Sequence, residues 1–474
     1  MENKRATWGS NFGFLMAAIG SAVGLGNIWG FPYKMGNSGG FAFLVVYLVL
    51  AAIVGFTVLV CELSLGRCAQ KGCIGTYYKL ASKKFKWIGW LGALSAFLIM
   101  SFYSVLGAYC IKYMIINFGD MLGLGFGTNG LDGGKIFGGI LTSQFESWIY
   151  TLIFMLLTGG IIMGGIEKGI ERFSKYAMPA LFVMLLIIII RSVTLDGAEK
   201  GLAFMFKPNW EPLKNNFLGV LATASGQMFF SLSLGMAIMV TYGSYLPKTE
   251  NIEKNSAIIV ISDTIVAILA GIAVLPAAFA LGGKDAALAG PKLLYITLQN
   301  VFNAMGVLGP FIGFIFYALV VIAALTSAIS LTETTVTFFI DSNDAKGVSS
   351  NRKKITIFVC LAIMAEASII AIDGLGSNGI WVPGQATFGI HTWNDCWLDF
   401  MDAWSEGFMM PLGAFLMCLF VGYELKMTKV NNEVEASGKT FVSKKFVEIC
   451  CKYLAPIILL FVLYNQLKDF GFFG

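Results

Sequence analysis

Apolar residues in this chain do not trace the 3.6-residue stripe of helices that bury a single face. They fill runs of about twenty positions, the length that crosses ~30 Å of hydrocarbon. Eleven such spans are read near residues 11–35, 41–66, 88–117, 147–165, 170–190, 216–245, 255–282, 309–339, 355–372, 398–424 and 447–467, separated by Gly, Pro, Asn or charged stretches. The pattern predicts an all-α polytopic membrane protein of about 11 transmembrane helices, forming one domain over 1–474. A short basic linker joins spans 4 and 5, and a long loop precedes span 10. Lys4 and Arg5 precede span 1, but that span runs past any plausible cleavage point, so no cleavable leader is expected.

Composition agrees with the pattern. Hydrophobic residues make up 57% of the 474 positions and charged residues 13%, about half the share usual for a soluble domain. The linker after span 2 carries Arg67, Lys71, Lys79, Lys83, Lys84 and Lys86, that after span 8 Lys346, Arg352, Lys353 and Lys354, and that after span 10 Lys426, Lys429, Lys439, Lys444 and Lys445. The stretch from Asp373 to Asp402 has no Lys or Arg. Basic loops face the cytoplasm. The N-terminus is therefore expected inside, the C-terminus outside, and the protein in the cell membrane. This bias accounts for the net charge of +5 without a nucleic-acid partner. Nine scattered cysteines and the single His391 show no metal-ligand spacing.

Two spans are poor candidates for unbroken helices. Span 1 reads NFGFLMAAIGSAVGLGNIWGFPY, with Gly20, Gly24, Gly26 and Asn27 in its middle and Gly30 and Pro32 following. Each interior Gly costs up to ~1 kcal/mol relative to Ala, and within a bilayer every freed N–H and C=O needs a partner. In span 6, Gly226 and Gly235 bracket Phe229, Phe230, Ser231 and Ser233. Either span alone is compatible with small-residue helix packing. Together, as first and sixth, they imply two five-helix repeats of opposite orientation, 1–191 and 216–424, with helix 11 in 445–474; broken helices at corresponding places point to a transporter's binding site. Amides at Leu25 and Gly26 would form a positive half-helix end for a carboxylate. Carbonyls around Gly20, Ala22 and Val23 and the Asn27 side chain suit Na⁺ or an ammonium group, so a zwitterion would match both polarities.

The run GSAVGLGNIWGFPY, with GQMFFSLSLGM in span 6, ALTSAIS in span 8, and NSGGFAFLVVYL, CELSLGR, SFYSVLGAY and ISDTIVAILAG in between, resembles the neurotransmitter:sodium symporter family, its bacterial amino-acid carriers in particular. The resemblance implies a LeuT-like fold, a 5+5 inverted repeat with discontinuous helices 1 and 6. It also implies sodium-coupled amino-acid import by alternating access, two Na⁺ sites and no organic cofactor. One ion site would use Ala22, Asn27, Ser231 and Asp263 plus the substrate's carboxylate. The other would use Gly20, Val23, Ala323, Thr326 and Ser327. The substrate's carboxylate would meet Leu25, Gly26 and Tyr103, and its ammonium group Ala22, Phe230 and Ser231. Ile99, Phe230, Ser233, Met236, Ser327 and Leu331 would enclose the side chain.

Within that resemblance particular residues sharpen the expectation. Gly24 stands where monoamine carriers have an Asp, so the substrate should bring its own carboxylate. Met236 supplies an adaptable wall, which suggests sizeable apolar or aromatic amino acids. Asp263, a carboxylate inside an apolar span, stands where chloride-dependent relatives are neutral, and transport is expected without chloride. Glu62 is expected to brace the unwound part of span 1. The resemblance places Arg5, Trp8, Tyr245 and Asp341 at an inner gate, with an Arg5–Asp341 pair. At the outer gate Asp402 (or Asp399) remains, but Gly30 replaces the usual Arg, leaving Lys34 to substitute. Gly169 and Pro179 resemble a motif at which the inner end of span 5 unwinds. An ATP-driven pump is disfavoured by the lack of a Walker motif and an intramembrane enzyme by the lack of paired carboxylates. A proton-coupled carrier would need a fixed cation near Thr326 and Ser327, and none is seen.

Overall fold

The computed structural model describes residues 6–82, 84–287, 292–383 and 396–469. Among these, nine helices are long and apolar enough to cross a membrane: Phe41–Ala69, Ile88–Met121, Gln144–Met163, Ile166–Val193, Ile252–Ala280, Gly306–Asp344, Arg352–Asp373, Trp397–Glu435 and Lys444–Lys468. They are spans 2 to 5 and 7 to 11. Span 1 is a bent pair, Asn11–Ala22 and Gly26–Asn37, whose axes differ by 48°. Span 6 is broken into Glu211–Ser231 and Ile238–Gly243, the first too polar and the second too short to count by itself. The expected order of crossings is thus present, and no strand occurs among the described residues. Several helices overrun their apolar runs: span 3 reaches Met121 rather than 117, and span 8 reaches Asp344 rather than 339. Hydrogen bonding continues a helix past the hydrocarbon edge, whereas the apolar pattern reports only the immersed part.

The helix ends follow local chemistry. Ser10 caps span 1 through its hydroxyl on the Gly13 amide, and Asn351 caps span 9 on the Lys354 amide. Wide π-type turns at Gly26–Gly30, Ala51–Gly55, Ile166–Glu171, Ala403–Met409 and Phe420–Lys426 interrupt the ladders of spans 1, 2, 5 and 10. Span 5 runs on as a wound helix through Pro179 to Val193, so the unwinding expected from Gly169 and Pro179 is not seen.

Spans 3 and 8 make the most extensive pairing and, with the halves of spans 1 and 6, surround the centre of the bundle. Span 6 turns sharply after Ser231, with Ser233, Gly235 and Ala237 at φ of 54°, 78° and 56°. Such backbone costs a non-glycine residue about 1–2 kcal/mol and is tolerated where the surroundings impose it. At Gly235 a side chain is excluded outright, since a Cβ would stand 2.4 Å from the Met410 carbonyl oxygen. The freed Gly235 amide donates to Glu62 Oε1 at 2.8 Å. Glu62 therefore braces the break in span 6, not that in span 1 as expected. The left-handed turn exposes that amide, which an apolar pattern does not reveal.

Candidate substrate and ion site

Where span 1 breaks, Val23 leaves helical geometry (φ −78°, ψ 95°), and the chain resumes at Gly26. The Leu25 amide donates to the Tyr103 hydroxyl of span 3 at 3.0 Å. A Cβ on Gly24 would lie 2.4 Å from Ser327 Oγ and 2.6 Å from the Tyr103 oxygen, and one on Gly26 would meet the Phe230 ring at 2.6 Å. These two glycines let three side chains close directly on the backbone of the break. They border a narrow cavity that is also lined by Ser21, Ala22, Ile99, Tyr103, Phe230, Ser233, Met236, Ile238, Ser327, Ser330 and Leu331. Nine of the eleven residues expected around a substrate are brought together here. The other two were expected through backbone groups: the Leu25 amide reaches Tyr103 while its side chain borders the wider space beyond Phe230, and the Ser231 hydroxyl turns toward Asp263.

Polar contacts divide into two clusters. In the first, Asn27 Nδ2 donates to Ser231 Oγ at 2.9 Å and to Asp263 Oδ1 at 2.7 Å, and Ser231 donates to Asp263 Oδ2 at 2.8 Å. The Tyr47 hydroxyl adds a bond to Asp263 Oδ2 at 3.3 Å. Asn27 and Asp263 are fully buried. In the second, Thr326 donates to the Ala323 carbonyl at 2.9 Å, and Ser327 reaches the Ser21 carbonyl at 3.0 Å and that of Gly20 at 3.4 Å. Gly20 lies directly against Thr326. Ser21 was not anticipated: its carbonyl also accepts from Ser233 at 2.9 Å, and its hydroxyl donates to Ser330 at 2.7 Å. Both clusters offer hard oxygen donors, one carrying a carboxylate and one neutral, the chemistry that suits small hard cations.

Outside Phe230 and Tyr103 lies a vestibule of about 260 Å³ bordered by Trp29, Gly30, Lys34, Gln227, Asp402, Glu406 and Gln466 among others. Lys34 forms an ion pair there, with Glu406 at 3.0 Å. Asp402 stands one turn before Glu406 and borders the same space. Gln227 donates to the Gly26 carbonyl at 2.8 Å, while its buried Oε1 makes no hydrogen bond among the described residues.

At the opposite end Trp8 Nε1 donates to the Tyr242 carbonyl at 3.1 Å, and the Tyr245 hydroxyl donates to Glu333 Oε1 at 2.7 Å. Glu333 also holds Thr337 and a two-nitrogen clasp from Arg352. Asp341 accepts from the Gly72 amide and has Lys71 Nζ at 3.9 Å. Arg5, the expected partner of Asp341, lies outside the described residues. Glu333 and Arg352 were missed. Ser327, Ser330, Glu333, Thr337 and Asp341 recur every three or four positions in span 8, a polar stripe that marks one face of a helix.

A bundle whose first and sixth crossings break at one buried polar cavity, with closures on both sides, is a secondary transporter of the LeuT-like fold, not an enzyme. The model of the Sodium:neurotransmitter symporter family matches residues 5–130 and 142–472. The chain belongs to that family. It is 34% identical to an uncharacterized sodium-dependent transporter of Bacillus subtilis (strain 168), over 99% of this chain and 100% of that one. A second uncharacterized sodium-dependent transporter, from Haemophilus influenzae (strain Rd), is 32% identical over 98% and 99%. The crystal structure of MhsT in complex with L-phenylalanine superposes with a TM-score of 0.83 at 36% identity, covering 98% of this chain and 100% of that one.

Proposed function

We propose that this chain imports free amino acids with sizeable apolar or aromatic side chains, driven by sodium and without chloride, by alternating access across the cell membrane. The observation that carries the reading is the closeness of Ser327 and Tyr103 to Gly24. Position 24 is Gly, crowded by their two oxygens at 2.4 and 2.6 Å from where a Cβ would stand, so the chain supplies no carboxylate of its own there. The substrate brings one, to the Leu25 and Gly26 amides and Tyr103, with its amino group toward span-1 and span-6 carbonyls including Ala22 and Phe230. Ile99, Met236, Ile238 and Leu331 give the substrate's side chain an apolar lining. MhsT, similar in fold and sequence, was crystallised with L-phenylalanine.

Sodium enters as co-substrate. The first ion would take oxygens of Ala22, Asn27, Ser231 and Asp263. Every described hydrogen bond to the Asp263 carboxylate comes from a neutral group, and a buried carboxylate calls for a countercharge. That fixed charge takes the place of an anion, which is the physical ground for chloride independence. The second ion would take Gly20, Val23, Ala323, Thr326 and Ser327. The N-terminus is assigned to the cytoplasm and the C-terminus to the outside, as the alternation of basic loops requires. Uptake of labelled phenylalanine into proteoliposomes, competed by unlabelled amino acids, tests the reading: it should follow an inward sodium gradient and persist when gluconate replaces chloride. Uptake indifferent to sodium would defeat the central claim, and collapse in gluconate would defeat the chloride-free part.

A further inference from the structure

At the end of the bundle that holds Trp8, a groove of about 490 Å³ separates spans 4, 5 and 8. One face of span 5 forms its wall, with Lys168, Arg172, Tyr176 and Ala180 succeeding one another every four residues, the spacing that aligns side chains along a helix. At 1.5 Å per residue this stripe runs about 18 Å, from two cations through a phenol to a small apolar side chain. The order is that of a lipid seen from headgroup to acyl chain. Lys168, Arg172, Tyr176 and Ala180 are exposed, Tyr176 at 74%, so the groove opens on the outside of the bundle. The opposing wall is cut back: a Cβ on Gly160 of span 4 would meet no atom within 4 Å. The neighbouring acid Glu171 is turned inward to Gly9, Ser10 and Lys175. Among the described residues neither Lys168 nor Arg172 forms an ion pair with a carboxylate.

We propose that this groove binds one anionic phospholipid from the leaflet at that end, with its phosphate on Lys168 and Arg172 and one acyl chain laid along Tyr176, Ala180 and Gly160 toward Ile322. A chain lodged there wedges span 5 against span 8 one residue before Ala323, and so props the inner end of span 5 in its wound form.

The test is native mass spectrometry of the purified full chain titrated with phosphatidylglycerol or with phosphatidylcholine of the same acyl composition. One phosphatidylglycerol should be retained with clear preference over phosphatidylcholine. At ~1 kcal/mol per basic residue near a membrane surface, Lys168→Gln with Arg172→Gln should weaken it about 25-fold. Gly160→Leu, which keeps both charges but fills the groove, should weaken it as well. Equal retention of the two lipids, or full retention of phosphatidylglycerol by either variant, would overturn the assignment. Thermal unfolding of each variant serves as the folding control.

Discussion

At the end of the pathway that holds Trp8, an indole, two tyrosines, a fully buried Glu333 and Arg352 interlock through side-chain and backbone bonds spanning four crossings. At the other end, a partly buried Phe230 ring separates the cavity from a wide vestibule, whose wall carries one Lys34–Glu406 pair with side chains 25% and 17% exposed. The two closures differ in dielectric more than in the number of charges. Removing one partner of a buried ion pair strands the other and costs about 3–5 kcal/mol, whereas an exposed pair contributes roughly 0–1 kcal/mol. The inner closure should therefore behave as a latch and the outer one as a lid.

Glu333→Gln should have the largest effect. It leaves Arg352, which is 23% exposed, without its countercharge; discounting for that exposure, the inner-closed form should lose about 2–3 kcal/mol. Cys73, buried at the same end, reports the opening: its alkylation, followed by peptide mass spectrometry, should accelerate on the order of 50-fold. Adding Arg352→Gln should return most of that change, since removing both partners costs far less than removing one. Unchanged Cys73 labelling in Glu333→Gln would mean that the inner end is not latched by this pair.

Phe230→Ala tests the lid next. The ring lies across Gly26 and is only partly buried, so its loss should cost about 1.5–2 kcal/mol, less than a core Phe truncation. Substrate should compete for uptake about 15- to 30-fold more weakly, with Cys73 labelling unchanged. Acceleration of Cys73 would show that the two ends are not separable in this way.

The contrast also shows what a linear pattern can carry. The broken crossings were legible because glycine cost and the ban on unpaired backbone in lipid act locally, on consecutive residues such as Gly20 to Gly26. Tyr103, Phe230, Ser327 and most of the cavity lining followed from resemblance. What was not legible depends on which side chains meet across the bundle. Glu62 turned out to serve Gly235 because a left-handed turn freed that amide, and Ser21 emerged because three serines from two other crossings converge on it. Lys34 pairs with Glu406, a single helical turn beyond Asp402, which sequence spacing cannot resolve without the tilt of span 10. The polar stripe of span 8 was readable, and it would have pointed to Glu333.

Gly30→Arg would carry the design of the inner end to the outer one. A side chain at position 30 starts 3.2 Å from Gln227 Oε1, an acceptor without a described partner, and borders the space that Asp402 lines. A guanidinium there gains at least one charge-assisted bond, worth about 1–1.5 kcal/mol after the side chain is ordered. Dissociation of preloaded substrate to the outside should slow about fivefold. Faster dissociation would mean that the added bulk props the lid open.

Lys34→Gln is the smallest step and separates the ion pair from the aromatic ring above it. Lys34 Nζ lies 5.9 Å from the Phe230 centroid as well as 3.0 Å from Glu406, so the substitution removes one partly exposed pair and one weak cation–π contact. Together these are worth about 1 kcal/mol, and outward dissociation should rise roughly three- to fivefold. The wild-type rate should also rise with ionic strength set by choline gluconate, because an exposed pair is screened at a Debye length of about 3 Å in 1 M salt. The variant should be insensitive to it. If Lys34→Gln matched Phe230→Ala in size, the ion pair rather than the ring would carry the outer closure. The two ends would then differ only in how deeply the same device is buried.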